Sequence, residues 1–282
     1  MKFARGIVAT VCLLLTGLSL GAQAPEPAFF VQLADPQFGM FTRDSDVAQE
    51  TANYAFVVEN LNRLRPAFVV ICGDLINRVG DPEQAAEYFR ITAMLDPSIP
   101  LYAVPGNHDV GNEPTPETLA GYRGRFGPDY YSFQEAGIYG IVLNSSLIAA
   151  PDAVREEADR QEAWLEAELA LAEASGANHI VVFQHHSWFL EDPAEPDQYF
   201  NIPTRDRRRY LDRLGAAGVR YVFAGHYHRN AYGTDGDLQM ITSGPVGQPL
   251  GDDPSGIRVV KIGESGLDHT YYTLGRIPNE IR

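Results

Sequence analysis

Val219-Arg220-Tyr221-Val222-Phe223-Ala224-Gly225-His226-Tyr227-His228 is the stretch on which the fold of this chain turns. A short apolar run closed by a glycine reads as a buried strand and the tight exit from it. Two histidines one residue apart leave the C-terminal tip, where two imidazoles can enter one cavity. Four more runs finish in a similar way. Phe29 to Ala34 leads to Asp35-Pro36-Gln37, and Ala67 to Cys72 leads to Gly73-Asp74. Leu101 to Val104 leads through Pro105-Gly106 to Asn107-His108-Asp109, and Ile180 to Phe183 ends at Gln184-His185-His186. In open α/β sheets ligands bind outside the C-terminal ends of the strands. Carboxylate, imidazole and amide groups gathered at that edge point to a metal site, and their number to a site for two ions.

The segments between these tips supply the remaining elements. Asp46 to Leu64 carries Val47, Tyr54, Val57, Val58, Leu61 and Leu64 near helical spacing and stops at Arg65-Pro66. Asp81-Pro82 opens a helix to about Leu95, with Asp as N-cap and Pro at the first helical position. Thr115 to Arg125 is a short helix. Tyr130 to Phe133 and Ile138 to Leu143 form a hairpin around Glu135-Ala136-Gly137. Ala153 to Ala174 is a long helix whose Trp164, Leu165, Leu169 and Leu171 supply a core face, and Thr204 to Leu214 is another helix. Strands close the chain: around Ala231, then Leu238 to Thr242, Ile257 to Ile262 and Leu267 to Leu274. Ser187 to Ile202 is long for a plain connection, which predicts a cover over the site with Trp188, Phe189, Tyr199 and Phe200 packed in it. These elements predict one α/β (α+β) domain with a second, more antiparallel sheet.

The 282 residues carry a net charge of −15, with 45% hydrophobic and 21% charged residues. A normal core is affordable at that composition. The acidic balance argues against binding to nucleic acid polymers or to membrane surfaces, since either needs a basic face. It is compatible with a phosphate-ester substrate, because bound cations dominate their local field. Lys2 and Arg5 precede the uncharged apolar run Ile7 to Leu20, and Ala22-Gln23-Ala24 resembles a cleavage site. This predicts a signal peptide over residues 1–24, an exported (periplasmic or secreted) mature chain of residues 25–282, and no stable membrane insertion after cleavage. An uncleaved anchor is the rival reading of that run. Cleavage removes two of the 22 basic residues and none of the 37 acidic ones, for a net charge of −17, and it removes Cys12. Cys72 is then alone, so no internal disulfide forms, and its apolar run makes it a buried strand residue.

A two-metal hydrolase needs several nitrogen and oxygen ligands per ion and one carboxylate shared between the ions. Asp35, Asp74, Asn107, His185, His226 and His228 are the available groups, and they suit Mn, Fe, Zn or similar divalent ions. Taken together, Asp35-x-Gln37, Gly73-Asp74-x-x-Asn77, Gly106-Asn107-His108-Asp109, His185 and Gly225-His226-x-His228 resemble the calcineurin-like metallophosphoesterase superfamily. Five motifs in the right order cover essentially the whole mature chain, whereas any one alone would be weak. Tyr199-Phe200-Asn201-Ile202, Gly225-His226-Tyr227-His228-Arg229-Asn230 and Asp35-Pro36-Gln37-Phe38-Gly39 resemble one branch, the calcineurin-like phosphoesterase domain-containing protein 1 group.

The resemblance implies a four-layer α/β/β/α sandwich with mixed sheets and two divalent ions (Mn, Fe, Zn or Mg). One ion would take Asp35, Asp74 and His228, and the other Asp74, Asn107, His185 and His226. A hydroxide between the ions would be the nucleophile, and His108 would serve as general acid or as a donor to the phosphoryl oxygens. The implied activity is a phosphomonoesterase of the serine/threonine phosphatase type, with phosphodiester cleavage and metal or phosphate binding without turnover as alternatives. Gln37 stands where the superfamily usually has histidine, which implies a weaker first site or one that prefers Mg or Mn over Zn. Asn77 stands where phosphoprotein phosphatases place a carboxylate that orients the catalytic histidine, and Asp109 could supply that charge. Arg78 matches a phosphate-binding arginine of those phosphatases. His186 is read as a supporting or lining residue, His179 and His269 as structural, Tyr227 as packed away from the ions, and Arg207-Arg208-Arg209 as a solvated helix face.

Overall fold

A computed structural model of the chain describes residues 28–281, so the signal expected over residues 1–24 lies outside the described residues. In chain order the elements are β1 (Phe29–Leu33), α1 (Ala48–Leu64), β2 (Val69–Cys72), α2 (Pro82–Thr92), β3 (Leu101–Val104), α3 (Asn107–Val110), α4 (Pro116–Phe126), β4 (Tyr131–Glu135), β5 (Ile138–Val142), α5 (Ser146–Ala149), α6 (Arg155–Ala174), β6 (His179–Phe183), α7 (Thr204–Ala216), β7 (Tyr221–Ala224), β8 (Ala231–Asp235), β9 (Leu238–Thr242), β10 (Gly256–Ile262) and β11 (Leu267–Thr273). Local chemistry explains several boundaries. The Asp81 carboxylate accepts the N–H groups of Glu83 and Gln84 and caps α2, which ends at Thr92, short of the expected Leu95. Ala136 and Gly137 both have positive φ, as the tight two-residue turn between β4 and β5 requires.

The strands form two sheets, in the orders β11-β10-β1-β2-β3 and β4-β5-β6-β7-β9-β8. Each is parallel in part: β1, β2 and β3 in the first, and β5, β6, β7 and β9 in the second. The expectation of one more antiparallel sheet is corrected. The C-terminal strands divide between the sheets, β8 and β9 joining one and β10 and β11 the other, so both sheets are mixed.

Side chains alternate across each strand, and that alternation builds the layers. Phe30, Val70, Phe183 and Phe223 point between the sheets, where Phe30 stacks on Phe68 at 4.7 Å and meets Phe223 edge-on at 5.5 Å. Val31, Leu33, Val69 and Ile71 point the other way and pack with Tyr54, Val57, Leu61 and Tyr88 of α1 and α2. Val182 and Val222 do the same with Leu165, Leu169, Tyr210 and Leu214 of α6 and α7. The result is the four-layer α/β/β/α sandwich. Leu171 is corrected: it is 59% exposed, and α6 packs through Leu165, Leu169 and Ala172. No helix of the described residues is long and apolar enough to cross a membrane.

Candidate metal centre

The tips of β1, β2, β3, β6 and β7 meet at one edge of the sandwich. Main-chain bonds lash them together: Asp35 N–H donates to Gly73 O at 3.1 Å and Gly225 N–H to His185 O at 3.0 Å. Asp35, Gln37, Asp74, His226 and His228 all have φ between 39° and 67°. Left-handed backbone is uncommon outside glycine and is retained where the surroundings impose it. It turns each chain sharply off its strand and aims the side chain into the edge. The glycines make room. A Cβ on Gly106 would collide with Asp74 Oδ1, and one on Gly225 would lie 2.6 Å from Asp35 Oδ2.

The ligand atoms of Asp74, His185 and His226 lie within 4.8 Å of one another, as do those of Asp35, Asp74 and His228. Asp74 belongs to both groups, as a bridging carboxylate must. Counting protons shows what the groups face. His185 Nδ1–H donates to Cys72 O at 2.9 Å, which leaves Nε2 as a lone pair. That lone pair lies 2.8 Å from Asn107 Oδ1 and 3.3 Å from Asp74 Oδ2, both acceptors. Asn107 is held in this sense because its Nδ2 donates to Asn112 Oδ1 and Tyr199 Oη, at 2.9 and 3.2 Å. His226 Nε2–H donates to Tyr199 O at 2.9 Å, and His228 Nδ1–H to Gln248 O at 2.6 Å. Their other nitrogens stay bare, and His228 Nε2 sits 3.5 Å from Asp35 Oδ1. Gln37 gives its NH2 to Asn77 Oδ1 at 3.1 Å, and its buried Oε1 has no protein partner among the described residues. Buried lone pairs converging without donors are costly, and a cation relieves them all at once. The residues therefore fit two divalent ions.

Electrostatics agree. Burial works against charge on His185, but the Asp74 carboxylate, its contact and Asp35 outweigh it and push the imidazole up to about 9. A proton and a divalent ion compete for the same Nε2 of His185. Burial also opposes charge on Asp74, yet His185, His108 and His226 hold it below the usual carboxylate range. Burial pushes Asp35 well up, with the Asp74 charge acting the same way and His185 against it. Burial pulls His226 and His228 down, to about 3 and about 4, so both are neutral at ordinary pH, as metal ligation requires.

His108 sits beside this set. Its main-chain N–H donates to Asp74 Oδ1 at 2.8 Å, and its Nδ1 bonds Asn77 O at 2.6 Å, leaving Nε2 free. Two expectations change here. Asp109 does not reach the His108 ring. Its carboxylate accepts the N–H groups of Leu75, Ile76 and Gly106, between 2.8 and 3.2 Å, and so clamps the loops after β2 and β3 together. The Asn77 carbonyl is the orienting group instead. Arg78 is turned outward, 61% exposed, and paired with Asp81, so its fork is not offered to the site.

His186 Nδ1 bonds Ser145 Oγ at 2.9 Å, and its ring lies 4.3 Å from that of His226, a supporting place beside the ligands. His179 bonds Gly263 O and His269 bonds Arg258, both away from the site. The segment after β6 divides. Trp188 and Phe189 are buried in the helix-side core, whereas Tyr199 and Phe200 pack on His226 at 4.8 and 5.5 Å and cover the centre. Tyr227 packs on Phe200. Arg207 overturns the solvated-face expectation: it is 1% exposed and donates to the carbonyls of Ile202, Pro193 and Glu195, holding the cover from beneath. Arg208 and Arg209 do face solvent and pair with acidic residues. The carbonyls of Cys72, Tyr199 and Gln248 set the histidine tautomers and carry no signal in sequence, because any residue supplies a carbonyl.

Residues 30–230 match the profile of the family described as calcineurin-like phosphoesterase. The chain belongs to this family. It is a metal-dependent phosphoric ester hydrolase of that family, with the fold and ligand edge described above. It is 41% identical over 268 residues to the serine/threonine-protein phosphatase CPPED1 of Bos taurus, covering 89% of this chain and 85% of that protein. Among solved structures, a dimetal phosphatase from Danio rerio superposes with a TM-score of 0.61 at 19% identity, covering 88% of this chain and 97% of that one. GAP50, the anchor in the inner membrane complex of Plasmodium, superposes with a TM-score of 0.64 at 15% identity, covering 88% and 85%. At those identities the two structures share the fold.

Proposed function

We propose that this chain is an exported phosphomonoesterase that acts on phosphoserine or phosphothreonine. Export is supported by Lys2, Arg5 and the apolar run Ile7 to Leu20 ahead of Ala22-Gln23-Ala24. The substrate class is supported by the 41% identity to a protein named a serine/threonine phosphatase. The observation that carries the catalytic reading is His108, anchored at both its main-chain N–H and its Nδ1, with Nε2 left over.

Asp35, Gln37, Asp74 and His228 would hold one divalent ion, and Asp74, Asn107, His185 and His226 the other. When bound, the ions supply Lewis acidity at the phosphoryl oxygens and acidify water. Asp74 keeps the two positions in register while donating nothing itself. As an oxygen from water adds to phosphorus and the bond to the ester oxygen breaks, protonated His108 gives the proton on Nε2 to the departing alkoxide, and Asn77 O keeps the ring aimed throughout. Tyr199 and Phe200 shield the His226 side from bulk water.

A second reading, metal or phosphate binding without turnover, is favoured by Gln37 in place of an imidazole and by Arg78 being occupied with Asp81. Both are tested by stripping the protein of metal and restoring Mn, Fe, Zn or Mg in turn. Chromogenic phosphomonoester, chromogenic diester and phosphoserine peptide are then assayed side by side. Monoester and peptide turnover that falls about 10²–10⁴-fold in His108→Ala, with metal content unchanged, is the expected result. Preference for the diester would replace the monoesterase reading, and full metal loading without turnover would leave the binding reading. Unimpaired His108→Ala would remove the role given to that residue.

A further inference from the structure

Gln37 serves a cation only if its oxygen, not its NH2, faces the ligand edge, and main-chain chemistry fixes that choice from outside the site. The N–H groups of Asn77 and Arg78 both reach Gln84 Oε1, at 3.0 and 2.9 Å. Main-chain N–H groups only donate, so that atom is the carbonyl, and the other end of the Gln84 amide is NH2. It donates to Asp44 Oδ1 at 2.7 Å. The same carboxylate oxygen lies 2.7 Å from the Asn77 amide. A carboxylate only accepts, so Asn77 presents NH2 there and turns its carbonyl toward Gln37. Gln37 must answer a carbonyl with NH2, which it does at 3.1 Å. What remains is Oε1, in a residue 1% exposed, with no protein partner among the described residues. Gly39 leaves the space the network needs: its φ is +110°, and a Cβ there would collide with Gln84 Nε2 and lie 2.9 Å from Asp44 Oδ1.

We infer that Asp44 is a positioning residue of the metal centre: through Asn77 it holds Gln37 with oxygen toward the cation. It is hydrogen-bonded to none of the ligands, lies in the turn region before α1, and itself has a φ of 68°. The consequence is a position with oxygens from Asp35, Asp74 and Gln37 and one imidazole from His228, a set that suits harder ions such as Mn and Mg. Without the carboxylate, Asn77 can offer either end to Gln37, and Gln37 then offers either end to the ion. The inference rests on the metal-dependent reading of the site and adds the residue that tunes one of its two positions.

The test is Mn(II) binding to metal-stripped protein, followed by calorimetry and by the electron paramagnetic resonance signal of free Mn(II). Asp44→Ala is expected to weaken one of the two Mn(II) positions about 10–100-fold and leave the other unchanged, the usual cost of losing a group that orients a ligand. Asp44→Asn, which keeps an accepting oxygen, is expected to stay near the wild type. The decisive comparison uses Gln37→Glu. That carboxylate offers oxygen in either orientation but faces the Asn77 carbonyl that Asp44 holds in place. In the Gln37→Glu background, Asp44→Ala therefore frees Asn77 to turn and leaves Mn(II) affinity unchanged or raised. Equal losses in both backgrounds would mean that Asp44 only supports the loop, and the relay would be overturned. If Asp44→Ala does not fold, Asn77→Leu carries the same pair of expectations while Gln84 still occupies Asp44. Failure of the wild type to bind Mn(II) would instead strike the metal reading itself.

Discussion

Removing the cations and raising the pH should loosen the fold, because His185 then stands in for the cation by holding a proton. Its imidazole is pushed from the ordinary 6.5 to about 9 in the folded chain, against the cost of burial, by Asp74 and Asp35. The raised value fixes the sign. Stability from this group is fully present below 6.5 and is lost as the pH climbs through 9. The difference corresponds to about 3 kcal/mol, or roughly a 1 M fall in urea midpoint for a chain of this size. Asp109, pushed up to about 7 by burial and by the Asp74 charge, acts in the same direction but is spent near neutrality. The diagnostic window is therefore pH 7.5 to 9. About half of that 3 kcal/mol falls inside the window, so urea unfolding of chelator-treated protein should show a midpoint drop of roughly 0.5 M across it, and saturating Mn(II) should abolish the drop by taking the Nε2 lone pair. A stripped protein whose stability is flat or rises between 7.5 and 9 would refute the convergence of acceptors on His185 Nε2.

Other perturbations test other links. Arg207→Met leaves the carbonyls of Ile202, Pro193 and Glu195 without their donor. It should cost on the order of 3 kcal/mol in urea unfolding, and a loss under 0.5 kcal/mol would count against its anchoring role. Gly106→Ala drives a Cβ into Asp74 Oδ1 and should weaken Mn(II) binding about tenfold or more, whereas wild-type binding by calorimetry would contradict the close approach. Asp74→Asn removes the shared anion and should lose both metal content and turnover; retention of two ions per chain would show that Asp74 does not bridge. Acid should also matter. Burial holds His226 and His228 down at about 3 and about 4, so their contribution is present above 6.5 and is lost as the pH falls toward those values. Asp35 and Asp109, both pushed up, act the opposite way over the same range, so the test is a comparison: acidification from pH 6.5 to 4 should cost metal-free protein carrying His226→Gln and His228→Gln less stability than it costs the wild type, and an equal cost would contradict these shifts.

The strand tips were legible because apolar runs that end in glycine and then a ligand-type residue carry both a local conformation and a chemistry. Asp35, Asp74, Asn107, His185, His226 and His228 could be named from that pattern, and the structure brings all six to one edge. Arg207 could not be read correctly, because its helix carries three arginines in a row and only packing decides which of them is enclosed. Asp109 was misread for a related reason. Adjacency to His108 in sequence says nothing about direction, and one turn of α3 sends the two side chains to different partners.

The sequence by itself determined the alternation that makes two sheets, the helices that cover them and the residue types able to bind divalent ions, since each depends on patterns within one segment. Only the tertiary structure decided how the C-terminal strands divide between the sheets, which backbone turns left-handed at five residues of the edge, and which nitrogen of each histidine stays bare. Those outcomes depend on carbonyls and amides contributed by other segments, such as Cys72 for His185, Gln248 for His228 and Asn77 for Gln37. A hydrogen bond fixes a tautomer or an amide only once both partners are in place: Gln248 and His228 meet when β7 and β9 pair, the Asn77 relay when β1 and β2 pair, and Cys72 and His185 only when the two sheets close on each other.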